Sequence, residues 1–119
     1  MSLFLLPAGV GPQVIPPVIT NGHPVELRWN PSASAGPSPT TSKTVTYTVY
    51  RGHALGGESA SPLVVGIYCM PLSADDTYCH WFDYGVAHGQ TYAYTVVACW
   101  AANPSQCSSA AESNLTTAK

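Results

Sequence analysis

The sequence predicts an all-β fold: a seven-stranded antiparallel Greek-key sandwich of two sheets. Three observations carry this. Apolar and polar residues alternate with period two in several short runs separated by Pro- and Gly-rich segments. No stretch of useful length has helical periodicity. The segment Cys79–Ala98 reads as strand, corner, strand, with Trp81, Asp83, Val86, Gly89, Tyr92, Tyr94, Val96 and Ala98 spaced along it. A Tyr just past such a corner buries its ring while its hydroxyl returns to corner backbone, the tyrosine-corner device of Greek-key sandwiches.

The elements follow in order. Residues 1–17 carry Pro7, Pro12, Pro16 and Pro17. Proline removes backbone donors, so this is an extended arm, and the sandwich is expected over 18–119. In 24–29 (PVELRW), Val25, Leu27 and Trp29 point inward and Glu26 and Arg28 outward. Residues 30–42 are a loop by composition. In 44–52 (TVTYTVYRG), Val45, Tyr47 and Val49 point inward. A second loop, 53–61, leads to 62–69 (PLVVGIYC), a short edge-type strand. The corner segment follows, and 106–118 closes the sheet.

These features resemble the fibronectin type III family, an immunoglobulin-like sandwich, in its bacterial and phage-like form. The resemblance covers roughly 18–119. It rests on Trp29, on Tyr47-x-Val49-x-Arg51, on the Asp83…Val86…Gly89…Tyr92 corner and on the closing Ser113-Asn114. It implies a spacer, adhesion or binding module rather than an enzyme. Two departures stand out: four cysteines, which the family usually lacks, and His88 where the family's commonest corner places Pro.

Composition narrows the function classes. Charged residues are 8% and hydrophobic residues 45%, and the net charge is −2 with four Lys and Arg in total. There is no basic patch to neutralise phosphates, so nucleic acid is not an expected partner. No apolar run approaches the ~20 residues that span a bilayer, and no membrane partner is expected. Cys69, Cys79, Cys99 and Cys107 contain no C-x-x-C pair, which argues against zinc. Four cysteines allow three pairings. The turn-rich segments between them favour Cys69–Cys79 and Cys99–Cys107, each across a hairpin-like connection. An even count in a small β domain points to an oxidising location.

The search for chemistry returns no catalytic residue, cofactor or metal site. No G-x-S-x-G elbow occurs, and His23, His53, His80 and His88 lack ligand spacing and fit surface or turn roles. Asp83 fits a cap on the corner backbone, and Asp75-Asp76 a solvated turn. By parity Trp29, Tyr47, Trp81, Tyr92, Tyr94 and Trp100 face inward, whereas Tyr50, Tyr78, His80, Phe82 and Tyr84 face outward. Tyr50, Tyr78 and Phe82 are therefore candidates for surface binding, to a sugar ring or a protein partner, beside their ordinary role in cross-strand packing. The sequon Asn114-Leu115-Thr116 means little in a bacterial or phage product.

Leu3, Phe4, Leu5 and Leu6 form an apolar run that no Lys or Arg precedes, and it is shorter than a signal-peptide core. A flexible tail, a docking arm and a degenerate signal remnant all fit; docking onto a protein partner is the functional reading. The chain begins with Met and shows no evident export signal, yet its composition suits an exposed surface. A virion accessory, or decoration-type, protein reconciles the two, its arm seated on a capsid or tail lattice. An accessory or adhesion domain of a larger secreted bacterial protein, and an extracellular filament subunit that self-associates, are the alternatives. The expected location is the virion surface or the extracellular space.

Overall fold

A computed structural model describes residues 11–119 as nine short strands in two antiparallel sheets. The first sheet has the order β1-β2-β5, from Val18–Thr20, Val25–Trp29 and Cys79–Asp83. The second has the order β4-β3-β6-β7, from Val64–Ile67, Val45–Gly52, Thr91–Trp100 and Asn103–Cys107. Two further pieces, β8 (Ala111–Glu112) and β9 (Thr116–Thr117), also pair with β6. The expected sandwich is present, and the expected edge strand at 62–69 is β4.

Alternation decides which faces meet. Val25, Leu27 and Trp29 are buried on β2 while Arg28 is exposed. From the second sheet, Val45, Tyr47 and Val49 of β3 and Tyr92, Tyr94, Val96 and Ala98 of β6 close onto them. The Trp29 and Tyr47 rings lie 5.3 Å apart, tilted by 56°, a favoured offset for aromatic quadrupoles. The Tyr47 hydroxyl accepts from the Ser32 amide at 2.8 Å. Burial pushes this phenol above its ordinary pKa, and the backbone bond partly opposes that. Trp81 and Trp100, expected inward, are only partly buried against the core. Trp81 has the right parity, opposite Leu27, but it stands on β5, the outer strand of its sheet, and lines an open hollow.

The C-terminal tail runs along β6 as one broken strand, and serines repair both breaks. At the first, Ser108 N donates to Ala98 O at 2.7 Å while Ser108 Oγ accepts from Ala98 N at 3.0 Å. At the second, Ser113 N donates to Tyr94 O at 2.8 Å and Ser113 Oγ accepts from Tyr94 N at 3.0 Å. A hydroxyl thus replaces the carbonyl a continuous strand would have offered, and the Ala98 and Tyr94 amides are both paired. Next to the second break, Asn114 accepts from Ile19 N at 2.8 Å and donates to Ile19 O at 3.0 Å. Its amide imitates a peptide group and joins the tail to β1 of the other sheet.

Each flank of the sandwich therefore has its own closure. Asn114 joins β1 to the tail on one flank. On the other, a disulfide joins Cys69, just past β4, to Cys79 on β5. A second disulfide links Cys99 to Cys107 within the β6–β7 pair. Both expected pairings are present. Gly11, Pro12 and Pro17 are buried on the sandwich. Gly11 lies so close to the Cys107–Ser108 backbone that a Cβ could not be accommodated. The chain thus enters the described fold on the β1/β7 flank. Leu3, Phe4, Leu5 and Leu6 lie outside the described residues.

Candidate docking site

The corner between β5 and β6 defines the class of fold. Ala87 N donates to the Tyr92 hydroxyl at 2.8 Å, as a tyrosine corner requires. Asp83 Oδ1 accepts from Gly85 N at 2.9 Å, the expected cap. Its other oxygen carries more than the sequence suggested: Arg51 Nη1 donates to Asp83 Oδ2 at 2.8 Å and the Tyr94 hydroxyl donates at 2.7 Å. The Asp83 side chain is 4% exposed and that of Arg51 28%. Burial first, and then the bond to Asp83, push the Tyr94 phenol far above its ordinary pKa. Because Arg51 lies on β3 and Asp83 ends β5, this is a clamp between the sheets. Its carboxylate is fully engaged in structural bonds.

The other three histidines are surface or turn residues, but His80 is not. It is buried at 7% exposure, which corrects the expectation that all four would be surface or turn residues. Its Nδ1 is 2.6 Å from Glu26 Oε2 on β2 and its Nε2 is 2.6 Å from Asp76 Oδ2. Each ring nitrogen thus lies within hydrogen-bond reach of one carboxylate oxygen. The parity reading was sound, since His80 does leave the core. What it missed is that the segment 70–78 folds back over the side chain.

That segment is tightly organised. Asp76 Oδ2 accepts from Leu72 N and Oδ1 from Tyr78 N, each at 2.9 Å. These two amide bonds, with a smaller contribution from His80, hold the Asp76 carboxyl below its ordinary pKa. Asp76 is therefore a turn-forming residue rather than a merely solvated one. His80 N donates to Met70 O at 3.2 Å, and the Cys69–Cys79 disulfide closes the segment at its base. The result presents Met70, Pro71 and Leu72 against Trp81, Phe82 and Tyr84, enclosing an open hollow of about 260 Å³.

This flank gathers apolar surface. Of the nine large hydrophobic side chains exposed among the described residues, five are Val65, Tyr68, Met70, Leu72 and Tyr84. All five lie on β4, in the β4–β5 connection or immediately after β5. Contiguous exposed apolar patches mark interaction sites, whereas scattered ones need no explanation.

The sequence-derived candidates distribute unevenly over this surface. Phe82 lines the hollow. Tyr78 lies beside it, its ring covered by the Arg28 guanidinium 4.5 Å away. Tyr50 does not join them: it lies on β3, in the other sheet, opposite Thr95. No single row of Tyr50, Tyr78 and Phe82 exists, because outward parity on two different sheets means two different faces. Met70, Leu72 and the His80–Asp76 pairing were missed. The one signal for them was a cysteine-closed connection that carries Met and Leu instead of polar turn residues.

Glu26, His80 and Asp76 stand in line, with the carboxylates on opposite edges of the ring, so they do not converge on one point. Among the described residues no three His, Cys, Asp or Glu side chains are grouped to hold a metal ion. No helix among them is long and apolar enough to cross a membrane.

Two sheets ordered β1-β2-β5 and β4-β3-β6-β7, joined at a tyrosine corner, define an Fn3-like sandwich. The chain is similar to the crystal structure of a Fn3-like protein from Clostridium thermocellum, with a TM-score of 0.57 and 20% identity, over 92% of this chain and 95% of that one. No family model matches the sequence, nor does any curated protein.

Proposed function

We propose that the protein is a non-enzymatic structural or binding module exposed on a virion or an extracellular assembly. In this reading it is an accessory, decoration-type protein that docks through Leu3, Phe4, Leu5 and Leu6. The observation that carries the reading is in the sequence: four consecutive large apolar residues, Leu3-Phe4-Leu5-Leu6, precede a proline-rich stretch and the sandwich. Burying each yields ~1.5–3 kcal/mol before ordering costs, and the proline-rich spacer lowers those costs because it is already extended. Two disulfides suit an oxidising setting, and the Fn3-like fold suits a module without catalysis. A filament subunit that self-associates is the second reading, favoured by the apolar β4/β5 flank.

The test replaces Leu3, Phe4, Leu5 and Leu6 by Ser in the full chain. The thermal melt should be unchanged, and co-sedimentation with particles or filaments from the source culture should be lost. Retained co-sedimentation refutes docking through this segment. A collapsed melting temperature also refutes it, by making the segment part of its own core.

A further inference from the structure

We infer that the hollow between the 70–72 segment and the outer edge of β5 receives residues 3–6 of a second copy of this chain, as an added strand. The inference rests on the reading of residues 3–6 as a docking segment, and it names the acceptor.

The acceptor chemistry comes from β5. This strand is paired on one side only, with β2. His80 N donates away from β2, to Met70 O. Alternate residues of an antiparallel strand direct their backbone groups the same way, so the N–H and C=O of Phe82 also face outward. They lie beside the hollow lined by Met70, Leu72, Trp81, Phe82 and Tyr84. An open backbone edge next to an apolar hollow is what strand addition needs: the backbone pairs, and alternate side chains fill the hollow. The lining is mostly apolar, and it includes His80. It suits leucine and phenylalanine side chains better than a sugar, whose hydroxyls would find few partners.

The occupant follows from the sequence and from where the chain enters the fold. Leu3-Phe4-Leu5-Leu6 is apolar throughout and ends at Pro7, which has no N–H to continue a ladder. Gly11 is fixed against Cys107 and Ser108 on the β1/β7 flank. The hollow lies on the β4/β5 flank, where the Cys69–Cys79 disulfide joins the two outer strands. To reach its own hollow, the arm would have to cross the full face of a sheet. A neighbouring copy placed side by side presents its hollow directly. Donor and acceptor occupy opposite flanks, so the contact is heterologous and repeats head to tail.

Complementation tests this by sedimentation equilibrium. The donor-dead chain carries Leu3, Phe4, Leu5 and Leu6→Ser. The acceptor-dead chain carries Leu72→Lys and Tyr84→Lys, both exposed positions, and a thermal melt checks its fold. The native chain should grow in mass with concentration. Each variant alone should self-associate at least about tenfold more weakly. Their equimolar mixture should stop at a dimer, because it has one working donor and one working acceptor. A native chain that stays monomeric at millimolar concentration overturns the inference. So does a mixture that stays monomeric, or one that grows beyond a dimer, while the native chain assembles. These failures are separable from failure of the docking reading. A donor-dead chain that loses co-sedimentation with the parent particle while the native chain stays monomeric removes only the second copy as acceptor. Retained co-sedimentation removes the docking segment itself.

Discussion

The two flanks of this sandwich solve the same problem with different chemistry. On the β1/β7 flank, neutral groups close the edge beside the Cys99–Cys107 disulfide: Ser108 and Ser113 repair the β6 ladder and the Asn114 amide pairs with Ile19. On the β4/β5 flank, closure relies on a disulfide and on three carboxylates, Glu26, Asp76 and Asp83. The β1/β7 flank exposes three large hydrophobic side chains, Ile15, Val18 and Leu115. The other gathers five of the nine exposed large hydrophobic side chains. A covalent link and charge-assisted bonds keep the connecting segment in shape without covering its outer face.

The comparison breaks most severely at the inter-sheet clamp. Asp83→Ala strands the Tyr94 hydroxyl in the core, leaves Arg51 without its carboxylate and uncaps Gly85 N. Removing one member of a buried pair costs about 3–5 kcal/mol. With Arg51 partly in water, about 3 kcal/mol is expected from denaturant melts at neutral pH. A loss below about 1 kcal/mol, the range of exposed pairs, would show that the clamp is merely a surface contact.

The disulfides sharpen the comparison, because one serves each flank. They close loops with sequence separations of 10 and 8, so chain entropy makes each worth about 2.5 kcal/mol. Replacing Cys69 and Cys79 by Ala, or Cys99 and Cys107 by Ala, should therefore destabilise the fold by similar amounts. Their effects on assembly should differ. Loss of Cys69–Cys79 frees the 70–72 wall of the hollow and should weaken self-association, whereas loss of Cys99–Cys107 should leave it unchanged at temperatures where both variants are folded. Equal effects on sedimentation would remove the link between that loop and docking.

How much of this was legible in the sequence follows the same division. The sandwich, the inward residues of β2, β3 and β6, the Tyr92 corner and both cysteine pairings could be read, because period-two alternation and local turn chemistry determine them. The Asp83 cap was legible too, since Gly85 lies two residues away. Its bonds to Arg51 and Tyr94 were not, because they depend on where two sheets bring residues 32 and 11 positions apart. Tyr50 shows the limit of parity: the pattern gives a face but not which sheet's face. His80 shows another, since a connection that folds back can bury an outward residue. Asn114 was read as a weak sequon, although its amide is engaged with Ile19.

The finest test of the contrast is acid. The Leu72 and Tyr78 amides, and then His80, hold the Asp76 carboxyl below the ordinary aspartate value of 3.8. A carboxyl whose pKa is lower in the folded state binds its proton more readily when unfolded. Its contribution is therefore complete above the ordinary value and is lost as the pH falls through the depressed one. Protonation also places a hydrogen where the Leu72 and Tyr78 amides require an acceptor, so the 70–78 turn should loosen before the sandwich unfolds. On the other flank the Ile19 amide is held by a neutral Asn114. In a titration followed by amide NMR, the Leu72 and Tyr78 signals should move together with one midpoint below 3.8, while Ile19 stays still until global unfolding. Asp76→Asn should abolish that shared midpoint, because its amide has one accepting oxygen and cannot titrate. If Ile19 moves with Leu72, the two flanks loosen as one cooperative unit and their separate closures have no separate consequences. If only Leu72 and Tyr78 move, and head-to-tail association weakens at the same midpoint, the carboxylate-held turn is the part of the molecule that keeps the hollow open to a neighbour.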